Sequence, residues 1–136
     1  VTLAPDYQPS KKEDFMNPVM AEYFRQKLLA WRSELLTESN ETLQSLQEGG
    51  IQEPDISDRA SIETDRSLEL RNRARARKLI SKIDEALERI ANGEFGYCDE
   101  TSEPISLSRL EARPIATLTI EAQERHERME KTHRDD

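Results

Sequence analysis

Residues 20–35, MAEYFRQKLLAWRSEL, decide the fold of this chain. The large apolar residues in this stretch are spaced by four, four, three and four positions: Met20, Phe24, Leu28, Trp31 and Leu35. Such spacing places the side chains on one face of an α-helix. Asn17-Pro18 precedes the stretch and suits a helix start, whereas Gly49-Gly50 suits a helix end. We therefore predict a helix from Pro18 to about Glu48.

A second helical pattern follows a short connector, GGIQEPDIS at residues 49–57. It runs without Gly or Pro from about Asp58 to Asn92, where Asn92-Gly93 is a stop signal. Its large apolar residues again share one helix face: Ile80, Ile83, Leu87 and Ile90. Two long helices joined by a short connector fold back antiparallel. The sequence thus predicts an all-α chain built on a long antiparallel coiled-coil hairpin.

The predicted organisation has three parts. Residues 1–16 form an irregular N-terminal arm, residues 17–92 form the hairpin with its tip at 49–58, and residues 93–136 form a small base module. Towards the tip the apolar seam thins, which favours a protruding arm that depends on helix propensity and on its base. In the base we predict an aromatic turn at residues 95–97, short helices near Ser108–Arg113 and Thr119–Thr132, and a solvated, frayed C-terminus.

Composition excludes several classes of protein. The net charge of −8 over 136 residues repels phosphate backbones, so we expect no direct DNA binding. No apolar run is long enough to cross a bilayer, and the N-terminus lacks the apolar stretch of a signal peptide. A lone Cys98 cannot form a disulfide within the chain. We expect a cytoplasmic monomer.

Each of two charged regions has two interpretations, one purely structural and one functional. Glu53, Asp55 and Asp58 crowd the tip, where acids commonly cap helices or bond to the turn backbone, but where carboxylates could also reach a metal held by a partner. Six cations occupy twelve positions of the second helix: Arg71, Arg73, Arg75, Arg77, Lys78 and Lys82. They either pair within the helix, as Glu69 with Arg73, or bind a partner surface or phosphate ligand.

No enzyme constellation is present in the sequence, and a zinc site is incomplete. His126 and His133 lie in a charged terminal helix, and there is no glycine-rich phosphate loop or HExxH motif. Cys98-x-x-Thr101 and Thr119-x-x-Ala122, separated by seventeen residues, have the intervals of a four-cysteine zinc site. Only one of these four positions is a cysteine, and Thr and Ala are not zinc ligands. We expect no bound zinc and no catalysis by the isolated chain.

Several segments together resemble the DksA family of bacterial transcription regulators. They are DISDRA at 55–60, SLELRNR at 67–73, RKLI at 77–80, FGYC at 95–98 and RLEARP at 109–114. The resemblance covers roughly residues 17–125. It implies a protein that binds RNA polymerase in the secondary channel, through which nucleotides reach the active site. It further implies destabilised promoter complexes, notably at ribosomal RNA promoters, often together with the alarmone ppGpp.

The resemblance also implies roles for individual residues. Asp55, Asp58 and Ala60 fall on the polymerase-binding tip, with the two acids near the catalytic magnesium and Ala60 at a close approach. Arg75 falls on a position that contacts the channel rim. The positions that line the ppGpp site, shared between the regulator and polymerase, are matched by Leu79, Lys82 and Arg113.

The chain departs from the family pattern in two places. Its zinc ligands are reduced to Cys98, which implies a form that works when zinc is scarce and resists thiol oxidation. A basic ppGpp position in the terminal helix aligns with Gln123, which predicts weaker ppGpp synergy. Two other functions stay open: a Gre-like factor that provokes transcript cleavage through the same channel, and a coiled-coil adaptor without effect on polymerase.

Overall fold

Four α-helices account for the regular structure of the residues that the structure describes. The computed structural model describes residues 2–48 and 56–135, without the side chains of residues 42, 45–48, 56–59 and 134–135. Within these ranges there is no strand, only one isolated antiparallel bridge between Tyr97 and Pro104. The helices are α1 (Pro18–Glu48), α2 (Ile56–Asn92), α3 (Leu107–Ala112) and α4 (Ile120–Asp135). The all-α prediction is confirmed, and none of the described helices is long and apolar enough to span a bilayer.

Local capping chemistry sets the helix ends. The Asn17 side-chain oxygen accepts hydrogen bonds from the N–H groups of Val19 and Met20, both at 3.1 Å, so α1 begins as predicted. Gly93 ends α2 with a φ of 75°, a left-handed conformation in which Gly is unstrained. At its other end α2 begins at Ile56 rather than near Asp58, because Pro54 restricts only the residue before it.

Contacts divide the chain into two units, which we call the base unit (Val1–Leu28 with Asp84–Asp136) and the helical unit (Leu29–Ile83). The base unit holds most of the buried apolar side chains. Its core is made of Met20, Phe24, Leu28, Ala86, Phe95, Cys98, Ile105, Leu110, Ile115, Ala116 and Ala122. The rings of Phe24 and Phe95 are in contact at a tilt of 46°, with their centroids 5.5 Å apart. The predicted aromatic turn at residues 95–97 is therefore part of this core.

In the helical unit, α1 and α2 lie side by side and bury few residues. The buried apolar residues among the described ones are Leu35, Ala76 and Ile83. Ile83 and Leu35 of the predicted seam are thus buried, whereas Trp31, Ile80, Leu87 and Ile90 are only half-buried. Ala76 lies four residues before Ile80 and seven before Ile83, hence on the same helix face as both, and it extends the predicted seam towards the tip.

The N-terminal segment is irregular, as predicted, and packs on the base unit. Tyr7 donates a hydrogen bond from its hydroxyl to Glu13 at 2.9 Å, and its ring meets that of Tyr23 edge-on at 5.8 Å. The Phe15 ring meets that of Tyr97 in the same way at 5.3 Å. At the other terminus, α4 continues to Asp135, beyond the predicted end, although residues 124–133 are all exposed.

Candidate functional site

Four cations form an exposed line on α2, which we call the cationic stripe. Arg71, Arg75, Lys78 and Lys82 are spaced by four, three and four positions, and all four are exposed. This spacing stacks them along one helix face over roughly 16 Å. No acidic residue occurs on α2 from position 70 to 83. The stripe therefore suits phosphate or carboxylate groups of a partner.

A groove of about 380 Å³ runs beside the stripe within the helical unit. Arg75 and the half-buried Leu79 line it from α2, and Trp31 lines it from α1 together with two acids, Glu34 and Glu38. The structure thus brings Arg75 and Leu79, two of the residues predicted from the sequence, to one surface. An aromatic ring, an aliphatic side chain and charges of both signs give this surface the mixed character of a protein-binding site.

The predicted tip lies largely outside the described residues. Asp55 is among residues 49–55, of which nothing is described, and Asp58 is described only as part of the first turns of α2. Ala60 is exposed on the same helix. A carboxylate near the start of a helix is favoured by the helix dipole, which is a local reason for Asp58 that does not depend on a partner.

Arg113 belongs to the base unit, whereas Leu79 and Lys82 belong to the helical unit. Its side chain is exposed, but its backbone is held on both sides. Its N–H donates to the Arg109 carbonyl at 2.7 Å and ends α3, and its carbonyl accepts from Ala116 at 3.0 Å. In α4, Gln123 donates to Glu127 at 3.3 Å, so the position that aligns with a cation instead holds an amide engaged with an acid.

A polar cluster between α1 and α3 was not predicted from the sequence. The Tyr23 hydroxyl donates to the carboxylate of Glu111, and Lys27 binds the same carboxylate oxygen at 3.1 Å. Burial, followed by the hydrogen bond to Glu111, raises the pKa of Tyr23 to about 12, so the hydroxyl stays protonated and donates. Tyr23 and Glu111 are 88 positions apart, and no local sequence pattern indicates such a contact.

The Cys98 thiol is buried among polar groups. Thr119 donates a hydrogen bond from its hydroxyl to the sulfur at 3.9 Å, and the same hydroxyl caps α4 by accepting from the Ala122 N–H at 3.3 Å. Burial raises the pKa of Cys98, but hydrogen bonds from the Thr101 hydroxyl and from the N–H groups of Thr119, Thr101 and Glu100 outweigh it. The net pKa is about 7. A large thiolate fraction therefore exists near neutral pH.

The four positions with zinc-finger spacing meet in the structure, but they do not fit zinc. Cys98 supplies one thiolate, Thr101 and Thr119 supply hydroxyls that donate to it, and Ala122 is buried and supplies a methyl group. Structural zinc takes four thiolate, imidazole or carboxylate donors. Within residues 2–48 and 56–135, no group of three or more His, Cys, Asp or Glu residues could hold a metal ion.

Comparison with known proteins gives matches to two family models and to full-length relatives. The model described as DnaK suppressor protein DksA, N-terminal domain, matches residues 20–90, and the prokaryotic dksA/traR C4-type zinc finger matches residues 93–128. An RNA polymerase-binding transcription factor DksA from Caulobacter vibrioides is 63% identical, over 96% of this chain and 92% of the relative. The protein of the same name from Escherichia coli K12 is 44% identical, over 85% and 76%.

A solved structure has the same fold. The transcription factor DksA2 from Pseudomonas aeruginosa superposes with a TM-score of 0.81 at 43% identity, covering 91% of this chain and 94% of that one. A TM-score of this size at this identity indicates that the two chains share one fold.

Proposed function

This chain belongs to the DksA family, and we propose that it is an RNA polymerase-binding regulator of transcription. One observation carries the proposal: a relative named for polymerase binding is 63% identical over nearly the whole chain. The exposed cationic stripe and the groove beside it supply a surface on which such a partner can bind. We further propose that the chain acts as a monomer in the cytoplasm, without contacting DNA, which its net charge of −8 would repel.

In the proposed mechanism, the helical unit enters the secondary channel of polymerase with its tip foremost. Helix α1 has 31 residues and α2 has 37, so each is on the order of 50 Å long, enough to reach deep into a channel. Asp55 and Asp58 would lie near the catalytic magnesium, and Ala60 at a close approach. Magnesium ions prefer carboxylate and water oxygens, so acids beside it perturb its ligands and the elements that move around it.

We propose that Arg75 contacts the channel rim and that Leu79, Lys82 and Arg113 help to bind ppGpp at the surface shared with polymerase. Arginine and lysine suit a ligand with several phosphates, because charge-assisted hydrogen bonds are the strong ones. Gln123 removes one cation from this set and engages Glu127 instead. Since one charge-assisted contact contributes about 1.5–3 kcal/mol, we expect weaker ppGpp synergy than in a relative with a cation there.

The base unit is proposed to fold without zinc. The reason is chemical: a thiolate, two hydroxyls and a methyl group at the four ligand positions do not make a zinc site, whereas the apolar core and the bonded thiol give the module its own stability. The expected measurement is less than about 0.1 zinc per chain in purified protein, unchanged unfolding with a chelator, and activity in zinc-free buffer. A firm content of one zinc per chain would contradict this part.

In vitro transcription from a ribosomal RNA promoter tests the channel mechanism. Wild-type protein is expected to inhibit, more strongly with ppGpp, whereas Asp58→Asn should bind polymerase and inhibit poorly. Asp65→Asn is a matched control, because the same substitution lies two turns further along the same face of α2, at an exposed position. Inhibition that Asp58→Asn leaves unchanged would refute the tip mechanism.

The same reaction distinguishes the other candidate functions. Shortening of backtracked RNA in the presence of polymerase would indicate a Gre-like factor, and absence of polymerase binding would indicate an adaptor. No product is expected from the isolated chain with any nucleotide, because the proposed role is binding and not catalysis.

A further inference from the structure

The exposed Arg113 side chain projects from a backbone that is held in place. Both of its backbone polar groups are hydrogen-bonded, to Arg109 and from Ala116, and Pro114 beside it is buried. A cation on such a backbone loses less conformational entropy when it binds an anion. The orientation of Arg113 therefore depends on what holds α3, the helix that it ends.

Helix α3 has only six residues, so its position depends on tertiary contacts. Its three anchors are consecutive. Arg109 donates through Nε to the Leu118 carbonyl at 2.9 Å, Leu110 is fully buried, and Glu111 binds α1 through Tyr23 and Lys27. Arg109 holds α3 to the segment before α4, and Leu110 lies in the apolar core of the base unit. Glu111 makes the polar contacts between α3 and α1.

The contacts of Glu111 also direct one of its carboxylate oxygens towards α1. A free acid two residues away would attract the guanidinium group and repel phosphates. Lys27 neutralises this acid, and the Tyr23 hydroxyl donates to the same oxygen, so the charge is directed towards α1. Both the position and the electrostatic surroundings of Arg113 thus favour a negatively charged ligand.

We infer that Glu111, held by Tyr23 and Lys27, is a positioning residue that presents Arg113 to a nucleotide polyphosphate. The inference rests on the proposed function, in which Arg113 contacts ppGpp, and assigns to three further residues a part in the strength of the ppGpp response. Glu111 itself does not touch the ligand. The carboxylate of Glu111 fixes the end of α3, and the Arg113 side chain binds the nucleotide polyphosphate.

The test is a titration of ppGpp into promoter-bound polymerase with Glu111→Gln protein. We expect the half-effective ppGpp concentration to rise about threefold or more, with inhibition in the absence of ppGpp and affinity for polymerase unchanged. Lys27→Met should give a similar shift, and Tyr23→Phe a smaller one. Glu22→Gln is the matched control, because it removes a carboxylate paired with Arg25 at 3.0 Å on α1 without contacting α3, and should shift nothing.

A double-mutant cycle separates positioning from general destabilisation. Glu111→Gln added to Arg113→Ala should cause no further change in the ppGpp response, because the residue through which it acts is gone. A further shift in that background, or equal titrations for wild type and Glu111→Gln, would overturn the inference and leave the proposed function standing. Wild-type protein that binds polymerase but does not respond to ppGpp would overturn the ppGpp function and this inference together.

Discussion

The base unit and the helical unit solve the problem of stability in different ways. The base unit buries aromatic, aliphatic and thiol side chains from segments far apart in sequence, including Phe24, Phe95 and Ile105. In the helical unit the buried apolar residues among those described are Leu35, Ala76 and Ile83, while Leu29, Leu36, Leu68 and Leu70 are exposed. The base unit is stabilised mainly by burial of apolar side chains, whereas the helical unit depends more on backbone hydrogen bonds and helix propensity.

The difference bears on the proposed function, because a helix pair that enters a channel of another protein has little room for bulky side chains. A narrow seam keeps it slim and leaves both flanks free for contacts. Polar groups in that seam carry a cost: the Nε atoms of Arg66 and Arg73 are buried without a hydrogen-bond partner among the described residues. The base unit, which is not proposed to enter the channel, can instead use a conventional core of large apolar side chains.

The largest expected effect comes from the base core. Phe24→Ala removes a fully buried ring that contacts the rings of Tyr23 at 5.2 Å and Phe95 at 5.5 Å, and should lower the free energy of unfolding by about 3–5 kcal/mol. Leu68→Ala, at a half-exposed position of the helical unit, should change it by less than about 0.5 kcal/mol. Denaturant unfolding followed by circular dichroism measures both. Equal losses would erase the distinction between the units.

A second prediction concerns the buried Cys98 thiol of the base unit. The Cys98 pKa falls from 9.0 to about 7 on folding, so the native state favours the thiolate. Its contribution to stability is complete above pH 9 and is lost as pH falls through 7. Relative to Cys98→Ala, the wild type should gain about 2 kcal/mol between pH 7 and pH 9, measured by urea unfolding with a reducing agent.

Thr101→Val provides the control for that prediction. It removes the side-chain hydrogen bond that lowers the thiol pKa most and should reduce the pH-dependent gain, although Thr101 is exposed and contributes little packing. A gain that Thr101→Val leaves unchanged would show that the Thr101 hydroxyl does not lower the pKa of the thiol.

Much of the fold could be predicted from the sequence because its signals are local. Asn17-Pro18, Asn92-Gly93 and Thr119 define helix ends through backbone chemistry within a few residues, and the structure has them as predicted. The seam of α2 was predicted less well. The pattern of large apolar residues does not include two alanines, Ala76 and Ala86, which are buried, whereas Ile80 and Leu87 are only half-buried. Alanine gives a weak periodic signal, but it permits a close approach of helices.

The residues of the candidate site also differ in how well the sequence predicts them. The spacing of Arg71, Arg75, Lys78 and Lys82 could be read directly, because four positions on one helix face need no tertiary information. The cluster of Tyr23, Lys27 and Glu111 depends on how α3 packs against α1, and nothing near Glu111 in sequence indicates it. The roles of Asp55, Asp58 and Ala60 stay predictions, because they concern contacts with polymerase.

A third prediction tests the dependence of the helical unit on helix propensity. Ala74 is exposed in the middle of α2, so Ala74→Gly should destabilise this unit by about 1 kcal/mol through backbone entropy alone. Ala74→Gln, which keeps a good helix former, should cost only a few tenths of that amount. Hydrogen exchange is the informative measurement, since the loss should appear in the amides of residues 60–82. An equal loss of protection around Leu110 would contradict separate stabilisation of the two units.

The smallest expected effect concerns an ion pair on the surface of the base unit. His126 of α4 contacts Glu100, in the loop that holds the Cys98 thiol, and the two side chains are 46% and 39% exposed. Exposed pairs contribute about 0–1 kcal/mol, so Glu100→Gln should change the free energy of unfolding by no more than that. The backbone N–H of Glu100, which bonds to the thiol, is unaffected by this substitution. The pH-dependent gain assigned to Cys98 should therefore persist in Glu100→Gln protein. Its disappearance would show that the carboxylate, and not the backbone around the sulfur, controls the thiol.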